Sequence, residues 1–95
     1  MIVRVMGEGQ WHVDEVAAER LNRLDDELGR AVEAGDEDAM RRGLRALADV
    51  VRETGVRLPD DDLSPSDAIV PPEDLSLEEA RDLLLGSGLI PDLPG

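Results

Sequence analysis

An α+β fold is predicted by three features of the 95-residue sequence. The chain opens with a β-branched run broken by glycines. Two long stretches then carry apolar residues at spacings of three and four, and a proline-rich acidic remainder ends in one more helical segment. The expected architecture is a single domain, 1–95, in which an N-terminal β-hairpin packs on an antiparallel helix pair and a short C-terminal helix follows. Its parts are a β-hairpin at 1–13, an αα-hairpin at 14–54, an acidic Pro-rich loop at 55–75, and a short helix and tail at 76–95.

Ile2-Val3-Arg4-Val5-Met6 is rich in β-branched side chains, with Val3 and Val5 on one face and Arg4 on the other. Gly7-Glu8-Gly9 is a turn signal, and Gln10-Trp11-His12-Val13 resumes the alternation. Together they predict a hairpin with a three-residue, glycine-containing loop. An isolated hairpin is marginal in water, so its apolar face must be covered and its edges protected.

Asp14 is a good N-cap, and Glu15 places negative charge in the first turn, where the helix dipole favours it. Val13, Val16, Ala17, Leu21, Leu24, Leu28, Ala31 and Val32 then recur at helical spacing among charged positions, which predicts an amphipathic helix over Asp14–Ala34 broken by Gly35. Asp36 caps a second helix with Met40, Leu44, Leu47, Ala48 and Val51 on its apolar face, ending at Gly55. The short connection makes the two helices antiparallel neighbours. Gly29 and Gly43, each costing about 1 kcal/mol relative to alanine inside a helix, are candidate points of close helix approach.

Beyond Gly55 the character changes. Residues 1–54 hold eight arginines against 13 acids, whereas residues 55–95 hold two against 10, together with all six prolines. Val56-Arg57-Leu58-Pro59 leads into Asp60-Asp61-Asp62 and a turn-rich Leu63-Ser64-Pro65-Ser66-Asp67. Ala68-Ile69-Val70, closed by Pro71-Pro72, is either a third short strand added to the hairpin or an irregular packed segment. Ser76 and Glu79 form a capping box for a third helix over Leu77–Leu85 with Leu77, Ala80 and Leu84 on its apolar stripe and Leu83 a further candidate for it. Gly86-Ser87-Gly88 ends that helix, and Leu89-Ile90-Pro91 follows as an apolar tail.

A formal net charge of −13 argues against direct contact with phosphate backbones or anionic headgroups. Nucleic acid is therefore not an expected partner, and any membrane contact should be indirect. No cysteine is present, which removes disulfides, thiolate metal sites and thiol nucleophiles. No apolar stretch approaches the ~20 residues that span a bilayer, and the N-terminus lacks a signal-peptide pattern. A cytoplasmic location is the expectation. All ten basic residues are arginine, a composition that GC-rich coding produces.

No constellation of catalytic residues stands out. His12 is the only histidine, and a lone strand histidine is more often structural than catalytic. Asp60-Asp61-Asp62 offers carboxylate oxygens but lacks the alternating spacing, central glycine and distal glutamate of a calcium loop. Ser64, Ser66, Ser76 and Ser87 suit turn and cap duty. Gly7-Glu8-Gly9 is too short for a phosphate loop, and Glu8 would repel phosphate. No catalytic residue, cofactor or metal is expected. Trp11, the sole aromatic, either anchors a helix to the hairpin or serves as an exposed interface anchor.

Three segments carry a resemblance to a known family. Met1-Ile2-Val3-Arg4-Val5-Met6-Gly7-Glu8-Gly9-Gln10 is similar to the opening of the PspA-associated PspAA family. Leu58-Pro59-Asp60-Asp61-Asp62-Leu63-Ser64-Pro65-Ser66-Asp67 resembles its middle. Val70-Pro71-Pro72 and Ser76-Leu77-Glu78-Glu79-Ala80-Arg81, closing on Gly88-Leu89-Ile90-Pro91, resemble its end. The resemblance implies a small accessory protein that binds or regulates phage shock protein A, the coiled-coil, membrane-remodelling protein of the envelope-stress response. It brings no catalytic residues with it.

The candidate partner-binding residues are therefore Glu8, Gln10 and Trp11 near the hairpin tip, Asp60, Asp61 and Asp62 in the acidic loop, and Leu83, Leu85, Leu89 and Ile90 near the C-terminus. An acidic nucleic-acid mimic is the alternative reading of the same charge. Exposed sheet edges and small apolar faces further predict a homodimer or higher homo-oligomer.

Overall fold

The computed structural model describes residues 1–84. Strand β1 (Ile2–Val5) pairs antiparallel with β2 (Gly9–His12), setting Val3 opposite Trp11 and Val5 opposite Gly9. The hairpin loop is thus Met6-Gly7-Glu8, one residue earlier than the turn signal suggests. Gly9 begins the second strand at a φ of 142°, a conformation only glycine adopts at little cost.

Helix α1 (Glu15–Ala34) follows, capped by the Asp14 carboxylate, which accepts from the Ala17 amide at 2.9 Å. It ends in left-handed Gly35, whose amide reaches back to the Ala31 and Val32 carbonyls. Helix α2 (Glu37–Thr54) is capped the same way by Asp36, through the Ala39 amide at 3.0 Å. Close packing of the pair turns on Gly43, where a Cβ would lie 2.9 Å from Leu28 Cδ1. Gly43 is therefore the close approach that the sequence hinted at.

The 55–75 segment departs from the expected loop. It contributes β3 (Val56–Arg57), antiparallel to β2, and β4 (Ala68–Val70), parallel to β1. Of the two readings of Ala68-Ile69-Val70, the strand holds. The sheet therefore has four strands in the order β3-β2-β1-β4. β3 escaped sequence analysis because two residues carry no periodicity. It exists because Gly55 delivers the chain from α2 directly alongside His12 and Trp11.

Register decides the layers. Val3, Val5, Trp11, Ala68 and Val70 fall on one sheet face and are all buried beneath the helices. They join Leu21, Leu28, Val32, Met40, Leu44, Leu47 and Val51 in one core. The 20 residues of α1 run about 30 Å at 1.5 Å per residue, against about 13 Å for a four-residue strand, so the helix pair overhangs the sheet. Helix α3 (Leu77–Leu84) packs against α1, with Arg81 beside Gly35 and Ala80 wholly buried in the core. Its capping box forms in both directions: the Glu79 amide donates to Ser76 Oγ at 3.1 Å, and the Ser76 amide donates to Glu79 Oε1 at 3.3 Å.

No helix among the described residues is long and apolar enough to cross a membrane.

Candidate functional site

The hairpin tip is tied to the helix pair by one carboxylate. Arg52 of α2 grips Glu8 with two donors, Nε to Oε1 at 2.8 Å and Nη2 to Oε2, while Nη1 holds Asp49 at 2.9 Å. The hydrogen bond from Arg52 holds the Glu8 carboxyl below the usual glutamate range, against a small opposing effect of desolvation. The pair is partly open to solvent, so it positions the tip more than it stabilises the fold.

A second arginine closes the other side of the tip. The Arg57 guanidinium lies over the Trp11 ring, 5.6 Å from its centroid, and Nη2 donates to the Glu8 carbonyl at 2.8 Å and to Asp60 Oδ1 at 3.1 Å. Gly9 makes room for it, since a Cβ there would meet Arg57 Nη2 at 3.0 Å. Trp11, Glu8, Gly9 and Asp60 thus meet around one cation.

The 58–67 segment covers the middle of the outer sheet face around Gln10. Gln10, paired with Arg4 and pointing away from the helices, is buried there. Its amide nitrogen donates to the Ser64 carbonyl at 3.2 Å, and its amide oxygen accepts from Ser66 Oγ at 3.1 Å. Arg4 Nε also donates to Ser66 Oγ, at 3.3 Å, and the Leu58 amide continues the β2–β3 pairing onto the Gln10 carbonyl at 2.9 Å. At the far end, the Ile2 amide donates to Asp67 Oδ2 at 2.8 Å. Within the segment, Asp62 accepts from the Ser64 amide at 2.8 Å, and hydrogen bonds from Ser64 lower its pKa.

Two shallow clefts flank this end. One, of about 360 Å³, lies between the tip and α2 and is lined by Val5, Met6, Leu44, Ala48, Pro71 and Pro72, with the Glu8–Arg52 pair at its rim. The other, of about 230 Å³, lies on the outer side among Arg4, Gln10, Leu58, Pro59, Asp60 and Leu63. Met6 is half exposed, and Leu63, at 93% exposure, projects almost wholly into solvent.

The sequence candidates therefore divide. Glu8 and Asp60 come together at the tip through Arg57, and Asp61 and Asp62 stand beside them. Gln10 and Trp11 are buried, at 8% and 7% exposure, within contacts of the fold itself; a fold-internal demand on Glu8 and Gln10 was not visible in the sequence. Leu83 falls within α3, while Leu85, Leu89 and Ile90 lie outside the described residues. Sequence reasoning missed Arg52, Arg57, Ser64 and Ser66. The only available signal was that Arg57 is the sole arginine between Arg52 and Arg81.

His12 is exposed on the outer face, opposite Ile2 on one side and Val56 on the other. Among the described residues, no three histidine or acidic side chains gather where they would hold a metal ion.

The segments that converge here, 7–10, 58–67 and 70–72, are among those carrying the family resemblance. No curated protein and no solved structure matches the chain significantly. Residues 1–92 match the family described as PspA-Associated protein, PspAA, and the chain belongs to that family.

Proposed function

We propose that this protein is a non-enzymatic adaptor of the envelope-stress response, binding phage shock protein A through the hairpin-tip end of the fold. The observation that carries the reading is the convergence of three distant segments into one exposed, acidic and partly apolar end. Arg57 and Gln10 lock the 7–10 and 58–67 segments together, and the Met6 amide donates to the Val70 carbonyl at 3.2 Å to hold the third. Met6, Glu8, Asp60, Asp61 and Leu63 are exposed around that lock. Carboxylates beside apolar side chains suit a charged helical partner: the charges orient the encounter and the apolar contacts hold it. In this reading the protein works in the cytoplasm, meets membranes only through its partner, and self-associates through the edges that β3 and β4 leave open.

The test is a calorimetric titration of the full chain into the phage shock protein A of the same source. A saturable complex with Kd in the micromolar range or tighter, about −8 kcal/mol or better, is expected. Absence of binding at about 100 μM overturns the reading. For self-association, a sedimentation mass that stays at 10.3 kDa across a concentration series contradicts that part.

A further inference from the structure

In the cleft between the hairpin tip and α2, apolar walls meet charge that the fold does not consume. Val5, Leu44 and Ala48 form its floor, and Met6 and Pro72, both exposed, form its walls. At about 360 Å³ it exceeds the ~150 Å³ that holds one benzene ring, so it has room for two side chains. Along α2 it runs from Leu44 to Arg52, a rise of about 12 Å at 1.5 Å per residue, which accommodates two side chains one helical turn apart.

The lining is acidic, and it stays so when ion pairs are counted. Glu8, Glu73 and Asp74 line the cleft against Arg52 alone. Their outer neighbours add Asp49, held by Arg52 at 2.9 Å, and Arg45, which reaches Glu73 at 3.3 Å. Four carboxylates, Glu8, Asp49, Glu73 and Asp74, therefore stand against two guanidiniums, Arg45 and Arg52. Asp74 makes no side-chain hydrogen bond or ion pair among the described residues. Arg41, one turn before Arg45 on α2, is paired with Glu37 at 2.9 Å. The formal net charge of −13 has the same sign as the lining, so long-range attraction and local contact favour the same occupant, a cation.

The amides of the walls are used within the fold or do not exist. The Met6 amide donates to the Val70 carbonyl at 3.2 Å, and the Glu8 amide donates to the Val5 carbonyl at 3.0 Å. Pro71 and Pro72 have no amide hydrogen, and the Pro72 carbonyl accepts from the Leu75 amide at 3.1 Å. An extended peptide recognised as an added strand needs free main-chain groups on its receptor, whereas a helix satisfies its own backbone. We infer that the cleft receives a helix of the partner through an apolar side chain and, one turn along, an arginine or lysine. The stem of that cation lies on Met6 and Pro72, and its head reaches Glu73 and Asp74. The inference rests on the adaptor reading for the identity of the partner. Residues 85–95 contain no arginine or lysine, so the chain's own C-terminal segment lacks the matching cation.

The experiment uses the isotope-labelled full chain and two synthetic amphipathic peptides of about three heptads, leucine at the a and d positions, one flanked by arginine and one by glutamate. The arginine peptide is expected to bind saturably and to shift the amides of Met6, Ala48, Glu73 and Asp74. The glutamate peptide should bind at least about tenfold more weakly. Asp74→Arg should weaken the arginine peptide by about fivefold or more, and Met6→Ser by about threefold or more. Glu33→Arg makes the same charge change at an exposed position of α1 outside the cleft, and should alter the affinity by less than about twofold. All three positions are exposed, and an unchanged circular dichroism spectrum checks folding. Should one variant fail to fold, the others and the peptide comparison still decide. Equal losses in Asp74→Arg and Glu33→Arg, equal affinity for the two peptides, or no saturation at about 1 mM overturns the inference. So do cleft shifts on concentrating the protein alone, which make a second copy the occupant, or on removing residues 85–95, which make the chain's own tail the occupant. Phage shock protein A titrated onto the same labelled chain tells the two readings apart. Binding with shifts elsewhere, indifferent to Asp74→Arg, overturns the cleft and leaves the adaptor standing. No binding of phage shock protein A, with the arginine peptide still seated in the cleft, overturns the adaptor and upholds the cleft as a site for a cationic helix.

Discussion

The side-chain amide of Gln10 donates to the carbonyl of Ser64, 54 positions further along the chain, at 3.2 Å. With Ser66 Oγ on its oxygen, this amide is the clasp that holds the acidic loop against the sheet. The loop is anchored by hydrogen bonds, not by apolar burial: Leu63 is exposed, and Pro59 and Pro65 are exposed beside it.

Gln10→Ala should therefore unpin the loop while leaving the core intact. Removing a buried amide that serves two partners is expected to cost about 1–3 kcal/mol. Urea unfolding gives the loss, and amide hydrogen exchange at Ser64 and Ser66 should accelerate more than at Leu21 or Leu47. Uniform acceleration across the protein would refute a local clasp.

Glu8 should titrate below the usual glutamate range, because the hydrogen bond from Arg52 favours its ionised form. A depressed folded-state pKa contributes stability that is present above the unfolded-state pKa and is lost as pH falls through the folded value. The contribution is small, below about 1 kcal/mol, since both side chains remain more than a third exposed. Carboxyl chemical shifts followed by NMR should show Arg52→Gln moving the Glu8 midpoint upward. No movement would mean that the pair does not persist in solution.

Two glycines should respond differently to a single methyl group. At Gly55 a Cβ would stand 2.6 Å from the Val51 carbonyl oxygen and 3.0 Å from Trp11 Cβ, neither of which can yield without moving backbone. Gly55→Ala is expected to destabilise by about 1–3 kcal/mol and to loosen β3. At Gly43 the obstacle is the end of the Leu28 side chain, which can rotate. The gain in helix propensity of about 1 kcal/mol offsets that strain, so Gly43→Ala should fall within about 1 kcal/mol of the parent. Thermal unfolding of both variants checks the contrast.

What the sequence made legible is what short-range chemistry determines. Asp14, Asp36, Gly35 and the Ser76–Glu79 box fix helix ends within a few residues of themselves, and each forms as the residues predict. β3 and the parallel pairing of β4 depend on where distant elements deliver the chain, and no local pattern encodes that. The same holds for the candidate site. Glu8 and the Asp60 run stood out by charge, but that Arg57 would join them, or that Gln10 would be consumed by the loop, follows only from the register of Trp11 with Arg57 and Arg4 with Gln10.

The central claim is that the hairpin-tip end is the surface offered to phage shock protein A. The most direct measurement is its affinity for the parent chain and for a variant carrying Met6→Ser and Asp61→Arg. Neither residue makes a side-chain hydrogen bond or ion pair among the described residues, so the fold should be untouched. The account predicts parent binding in the micromolar range or tighter and a loss of about tenfold or more in the variant. Equal affinities for the two proteins would contradict it.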